Sequence, residues 1–244
     1  MIKEHPIIFS PAMVRAILDG TKSQTRRIMK PQPFMQPILA RHLAKRGWPE
    51  WYTEDSLWRK FCPYGSIGKK LWVRESWRIG AWNEDDEQIA VDYIADGYCR
   101  KEWLDVPLDE RDMFNRFWIQ SSDDAAKSSI KPDGEGKYHW EPGQSPCRTR
   151  PSIHMPRWAS RILLEITNIR IERLQSISSS DAEAEGIEHL CGMWRDYHSV
   201  QHAQIKAVDS YRTLWESING KGSWDINPFV WCISFRRIDR NITC

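Results

Sequence analysis

The sequence predicts an α+β protein, a small mixed β-barrel with flanking helices and two long insertions. Three observations predict it. Strand-like segments lie far apart, at Lys70–Trp77, Arg161–Leu174 and Phe229–Phe235, so their pairing is non-local. Three modest helical segments separate them. Two stretches, around 31–68 and 80–150, lack a clear period. The strands on either side of them read as parts of one sheet, so they are insertions rather than linkers, and 1–244 reads as one domain without repeats.

The elements follow in order. Ile7-Ile8-Phe9 reads as a short buried strand, and Ser10-Pro11 supplies an N-cap and a proline at the first helical position. Met13, Val14, Ile17 and Leu18 share one helical face, and Gly20 ends the helix. The polar run Thr21–Arg27 then turns into a strand through Thr25 and Ile28. Pro31, Pro33 and Pro37 argue against regular structure at the start of the first insertion, which is expected to hold one short helix. In the second insertion a strand is expected at Ile89–Ile94, and the Ser/Asp/Lys-rich stretch from Ser121 to Gly136 is expected to be mobile. Arg161–Leu174 alternates in one phase through Ile162, Leu164 and Ile166 and in another through Ile169 and Ile171, which implies a turn or bulge near Asn168. Ser180 and Glu183 have capping-box spacing at the start of a short acidic helix that Gly186 stops. Val208, Tyr211, Leu214, Trp215 and Ile218 form an amphipathic helix closed by Asn219-Gly220. Phe229–Phe235 is apolar on both phases, as in a strand buried on both faces.

Composition narrows the function. With 35 basic and 33 acidic side chains the net charge is +2, too small for a protein that coats duplex DNA, so any nucleic-acid contact comes from a local patch. The six cysteines show no CxxC pair, and neither a metal site nor a cofactor is expected. No signal peptide or membrane-length apolar run is present, so a cytoplasmic protein with reduced thiols and no membrane partner is expected. The 14 tryptophans exceed what packing needs, so a few are expected to form a stacking surface for planar ligands.

Five clusters could carry chemistry. In Gly20–Arg27, Lys22, Arg26 and Arg27 crowd with three hydroxyls; a Lys whose pKa is depressed by burial can accept the proton of Thr25, the same turn can grip a phosphate, and an ordinary solvated basic turn has the same composition. In Asp181–Gly186 the helix dipole accounts for Asp181 and Glu183, which leaves Glu185 as the carboxylate without a structural reason. Glu75 shares the inward phase of Leu71, Val73 and Trp77, so it either pairs with an arginine such as Arg27 or has a catalytic task. His154, Arg157 and Trp158 interleave cation and aromatic as base-binding surfaces do, with His154 either a general base or a satisfied structural residue. Trp224 and Asn227 can stack a base and read its edge, or close one end of the barrel.

The first strand, the helix after Ser10-Pro11, the turn Gly20-Thr21-Lys22-Ser23-Gln24-Thr25-Arg26-Arg27 and Asp181-Ala182-Glu183-Ala184-Glu185-Gly186 resemble the ASCH domain. With Leu71–Trp77, Ser152–Arg161 and Trp224–Ile238 the chain is similar to longer ASCH-domain proteins of phages and prophages, with gaps at the two insertions. The resemblance implies a PUA-like β-barrel, a fold that binds RNA or modified bases in many relatives. One small bacterial member is an amidohydrolase that deacetylates N(4)-acetylcytidine with a Lys, a Thr and a Glu, which by motif match Lys22, Thr25 and Glu185. Other members are described as ribonucleases. The expected function is therefore hydrolysis of an acylated cytosine nucleoside, with Arg27 holding an oxyanion or phosphate. The alternatives are a non-catalytic binder of RNA, single-stranded DNA or a modified base, a metal-independent ribonuclease, and a phage assembly or host-interaction protein.

Overall fold

The computed structural model describes residues 4–30, 32, 62–83, 86–98, 101–199 and 201–238. The expected helix of the first insertion, and Cys99 and Cys244, lie outside the described residues. Among the described residues the order is β1 (His5–Ile8), α1 (Pro11–Leu18), β2 (Gln24–Ile28), β3 (Lys70–Arg74), β4 (Trp77–Asn83), β5 (Gln88–Tyr93), β6 (Lys101–Asp105), α2 (Arg111–Ala126) and β7 (Leu163–Arg173). Then come α3 (Ser179–Ala184), β8 (His189–Leu190), β9 (Met193–Arg195), β10 (Ala203–Gln204), α4 (Ala207–Asn219) and β11 (Phe229–Ile238). The chain is thus α+β, with three sheets ordered β1-β3-β7-β11-β2, β4-β5-β6 and β10-β9-β8. No closed barrel forms among the described residues: β1 and β2, only four and five residues long, are left as the two edges of the largest sheet. None of the described helices is long and apolar enough to cross a membrane.

The chain forms two compact units. The first gathers described residues of Met1–His5, Ala16–Leu71 and Leu164–Ile238; the second gathers Pro6–Arg15 and Trp72–Leu163.

In the first unit β11 pairs antiparallel with β2, so that Cys232 stands opposite Arg26 and Ile233 opposite Thr25. β11 is buried on both phases, as its apolar sequence predicts. β7 is one continuous strand whose buried phase passes from Leu164 and Ile166 to Ile169, and the side-chain oxygen of Asn168 accepts the N–H of Ile169 where the phase changes. The cap of α3 is Ser178, not Ser180: its Oγ accepts the Asp181 N–H at 3.1 Å. In α4, Tyr211, Leu214 and Trp215 are buried while Ile218 is exposed.

The second unit corrects two expectations. The Lys70–Trp77 run breaks at Glu75-Ser76 into the separate strands β3 and β4. The region 80–150 is not irregular: β4, β5 and β6 form an antiparallel meander, and α2 runs for 16 residues. The polar stretch from Ser121 opens as the last turns of α2, where Ser121 and Ala125 are buried because their small side chains let the helix approach its neighbours. The core here is Trp77, Ile79, Val91, Tyr93, Phe114 and Met155, with Trp82, Trp118 and Trp158 packed at its border.

Candidate functional site

The site of interest lies in the first unit. After α1, Gly20 takes φ 77° and redirects the chain, and the Lys22 N–H donates to Ala16 O at 2.9 Å. Lys22 then bridges to Glu185, and the Ser23 N–H donates to Ala184 O at 2.9 Å, so the turn is tied to the end of α3. Gly186 makes this docking possible: at φ 77°, a Cβ there would stand 2.7 Å from Lys22 Cβ and 2.8 Å from Ala16 Cβ.

The result is a buried ion cluster. Lys22 Nζ donates to Glu185 Oε2 at 3.0 Å, to Glu185 O at 2.6 Å and to Gln24 O at 2.8 Å. The other Glu185 oxygen accepts from Arg26 Nη1 at 3.1 Å, and Arg26 Nη2 meets Glu172 at 2.5 Å and Asp181 at 3.2 Å. Arg170 binds Asp181 Oδ1 at 3.0 Å and contacts Cys232 Sγ at 3.3 Å, and Gln24 Nε2 also donates to Asp181. Both Lys22 and Glu185 are almost without solvent contact, at 4% and 3% exposure.

Burial controls the acid–base behaviour. It pushes the Lys22 ammonium below its ordinary pKa of 10.5, against the opposing charge and hydrogen bond of Glu185. It pushes the Cys232 thiol up to about 12 and the Tyr211 hydroxyl well above 10.0. The site therefore holds one ammonium with a weakened grip on its proton, 3.0 Å from the Glu185 side chain. Among the described residues, no three His, Cys, Asp or Glu are gathered so as to hold a metal ion.

No family model matches the chain, and neither the curated proteins nor the solved structures give a match.

Lys22, Arg26 and Glu185, singled out in the sequence, come together here. Thr25 and Arg27 leave β2 on the face opposite Gln24 and Arg26, because successive strand side chains alternate; Thr25 is buried across from Ile233. The remaining candidates have other places. Glu75 pairs with Arg161, not Arg27: Arg161 Nε and Nη2 reach its two oxygens at 2.9 and 3.1 Å, and Arg161 also holds Asp96. His154 is exposed, Arg157 lies 5.9 Å from the Trp72 ring, and Trp158 packs edge-on against Trp77 and Phe117 at the border of the core. Trp224 is buried against Tyr211. Asn227, at φ 45°, accepts the Gln175 N–H, so both it and Trp224 secure a loop rather than present a reading surface. Reasoning from sequence missed Arg170, Glu172, Tyr211 and Cys232. Arg170 and Glu172 alternate with Ile169 and Ile171 on β7 and look like the solvent phase of a strand; partners that the local sequence does not show, Arg26, Asp181, Gln24 and Cys232, come from other elements.

Proposed function

We propose that the chain is an ASCH-type protein whose five-stranded sheet is an open counterpart of the PUA-like barrel, and that it hydrolyses an acylated cytosine nucleoside of the N(4)-acetylcytidine kind. The observation that supports this reading is the buried Lys22–Glu185 pair, joined across 163 residues, in which the lysine has a lowered pKa. Hydrolysis of the exocyclic amide breaks its C–N bond, adds water across it, and yields a carboxylic acid and the free cytosine amine. Two proton movements are needed, from the attacking oxygen and to the leaving nitrogen, and a Lys–Glu pair in contact provides both. Arg26 holds the second oxygen of Glu185 at 3.1 Å, which keeps that carboxylate oriented.

The resemblance gives the attack itself to Thr25. Geometry supports that assignment least, since Thr25 leaves the far face of β2. The test is chromatographic: the parent chain, Lys22→Ala and Thr25→Ala are each incubated with N(4)-acetylcytidine and free cytidine is measured. Cytidine from the parent and none from Lys22→Ala is expected, and no cytidine from the folded parent overturns the reading. Thr25→Ala is expected to lose less than Lys22→Ala, with water then the attacking species; an equal loss returns the attack to Thr25.

A further inference from the structure

The second unit contains a cleft of about 640 Å³ that the Lys22–Glu185 reading does not use. It is lined by Trp82 of β4, Trp103 of β6, Trp118 of α2 and the loop residues Lys137, His139 and Trp140. Clefts of roughly 300–1,000 Å³ are the size that takes one small organic ligand. Trp82 and Trp140 lie 5.3 Å apart at 57°, and the Trp140 indole is fixed by donating Nε1–H to Gly80 O at 2.6 Å. Trp103 is 48% exposed, so its ring is open to a ligand from solvent.

The loop is held in place from within. Asp133 Oδ1 accepts the N–H groups of Glu135 and Lys137, both at 2.9 Å, and Asp133 Oδ2 meets His139 Nε2 at 2.7 Å. Among the described residues none that lines the cleft is acidic; Lys137 and His139 stand at it, with Glu135 and Asp133 of the same loop as their partners. The Lys137–Glu135 pair at 3.1 Å is largely exposed on both sides, and such pairs are weak. Indole walls alone would also suit a quaternary ammonium, but among the described residues the one formal charge on the lining itself is the Lys137 ammonium, whose exposed pair with Glu135 an anionic ligand can displace. A planar ring that carries an anion satisfies both features.

We infer that this cleft binds a nucleotide, with the base stacked on the tryptophans and the phosphate met by Lys137. The source is either a free mononucleotide or a single-stranded nucleic acid. The inference stands apart from hydrolysis at Lys22, because an unmodified nucleotide has no acyl group to release.

The experiment titrates the full chain with uridine monophosphate, a short oligothymidylate and choline, reading tryptophan quenching and heat of binding. Trp103→Ala is expected to weaken nucleotide binding roughly ten-fold and Lys137→Ala a few-fold with a shallower salt dependence. Trp103→Phe, which restores an aromatic face, is expected to recover most of the loss. Tighter binding of the oligonucleotide identifies the single strand as the source, and equal or tighter binding of the monophosphate identifies the free nucleotide. Absence of binding by both, binding indifferent to Trp103→Ala and Lys137→Ala, or choline bound more tightly than the monophosphate overturns the inference.

Discussion

Each unit buries an ion cluster, and of the two only the first contains a lysine. In the second unit Arg161 sits between Glu75 and Asp96 and lies 4.0 Å from the Tyr93 ring, and these partners raise its pKa despite burial. A guanidinium of that kind never gives up its proton, so the cluster can orient and hold but cannot exchange. In the first unit Glu185 faces Arg26 and also a lysine, Lys22, whose pKa burial lowers. The contrast separates a buried charge that fixes structure from one suited to chemistry. Burial and pairing alone do not distinguish them; the identity of the cation does.

Substitutions that remove one charge from each cluster should have different consequences. The largest effect is expected from Glu185→Gln, which should lower hydrolysis of N(4)-acetylcytidine by about 10²–10⁴-fold in a folded protein. A rate within a factor of a few of the parent would remove the first cluster from catalysis. Next is Glu75→Ala, which strands Arg161 beside Asp96 alone and should destabilise the protein by about 3–5 kcal/mol in urea unfolding. An unchanged midpoint would mean that this cluster holds nothing. Gly186→Ala forces a side chain into a positive φ and against Lys22 and Ala16, and a loss of about 1–3 kcal/mol is expected from the backbone strain alone. The smallest effect is in pH. Because the folded pKa of Lys22 lies below 10.5, the unfolded chain binds the extra proton; the stabilising contribution is present in full above 10.5 and is lost as pH falls through the folded value. Lys22→Met should flatten this alkaline rise in stability, and an identical profile for the two proteins would contradict the lowered pKa.

Local signals were legible in the sequence and distant ones were not. The cap at Ser10, the stops at Gly20 and Gly186 and the apolar run of β11 each depend on neighbours within a few positions. α2 escaped because its buried stripe uses Ser121 and Ala125, which do not read as core, beside aromatics that are poor helix formers. Glu75 is buried, as alternation along Leu71–Trp77 predicts, although it lies at the break between β3 and β4; its partner lies 86 residues away and no spacing announces it. Of the tryptophans expected to offer a stacking surface, Trp158 and Trp224 are packing residues. The rings around the cleft come from two strands, a helix and a loop, so only the fold gathers them.

The position of Cys232 has a consequence for handling the protein. Its sulfur lies in the ion cluster beside Arg170, yet burial keeps the thiol protonated, with a pKa near 12. Oxidants and alkylating agents attack the thiolate, so this sulfur is inert although guanidinium groups surround it. Among the described cysteines Cys191 is the exposed one and takes a label first. A fluorophore can therefore be attached at the surface while the charged interior keeps its chemistry.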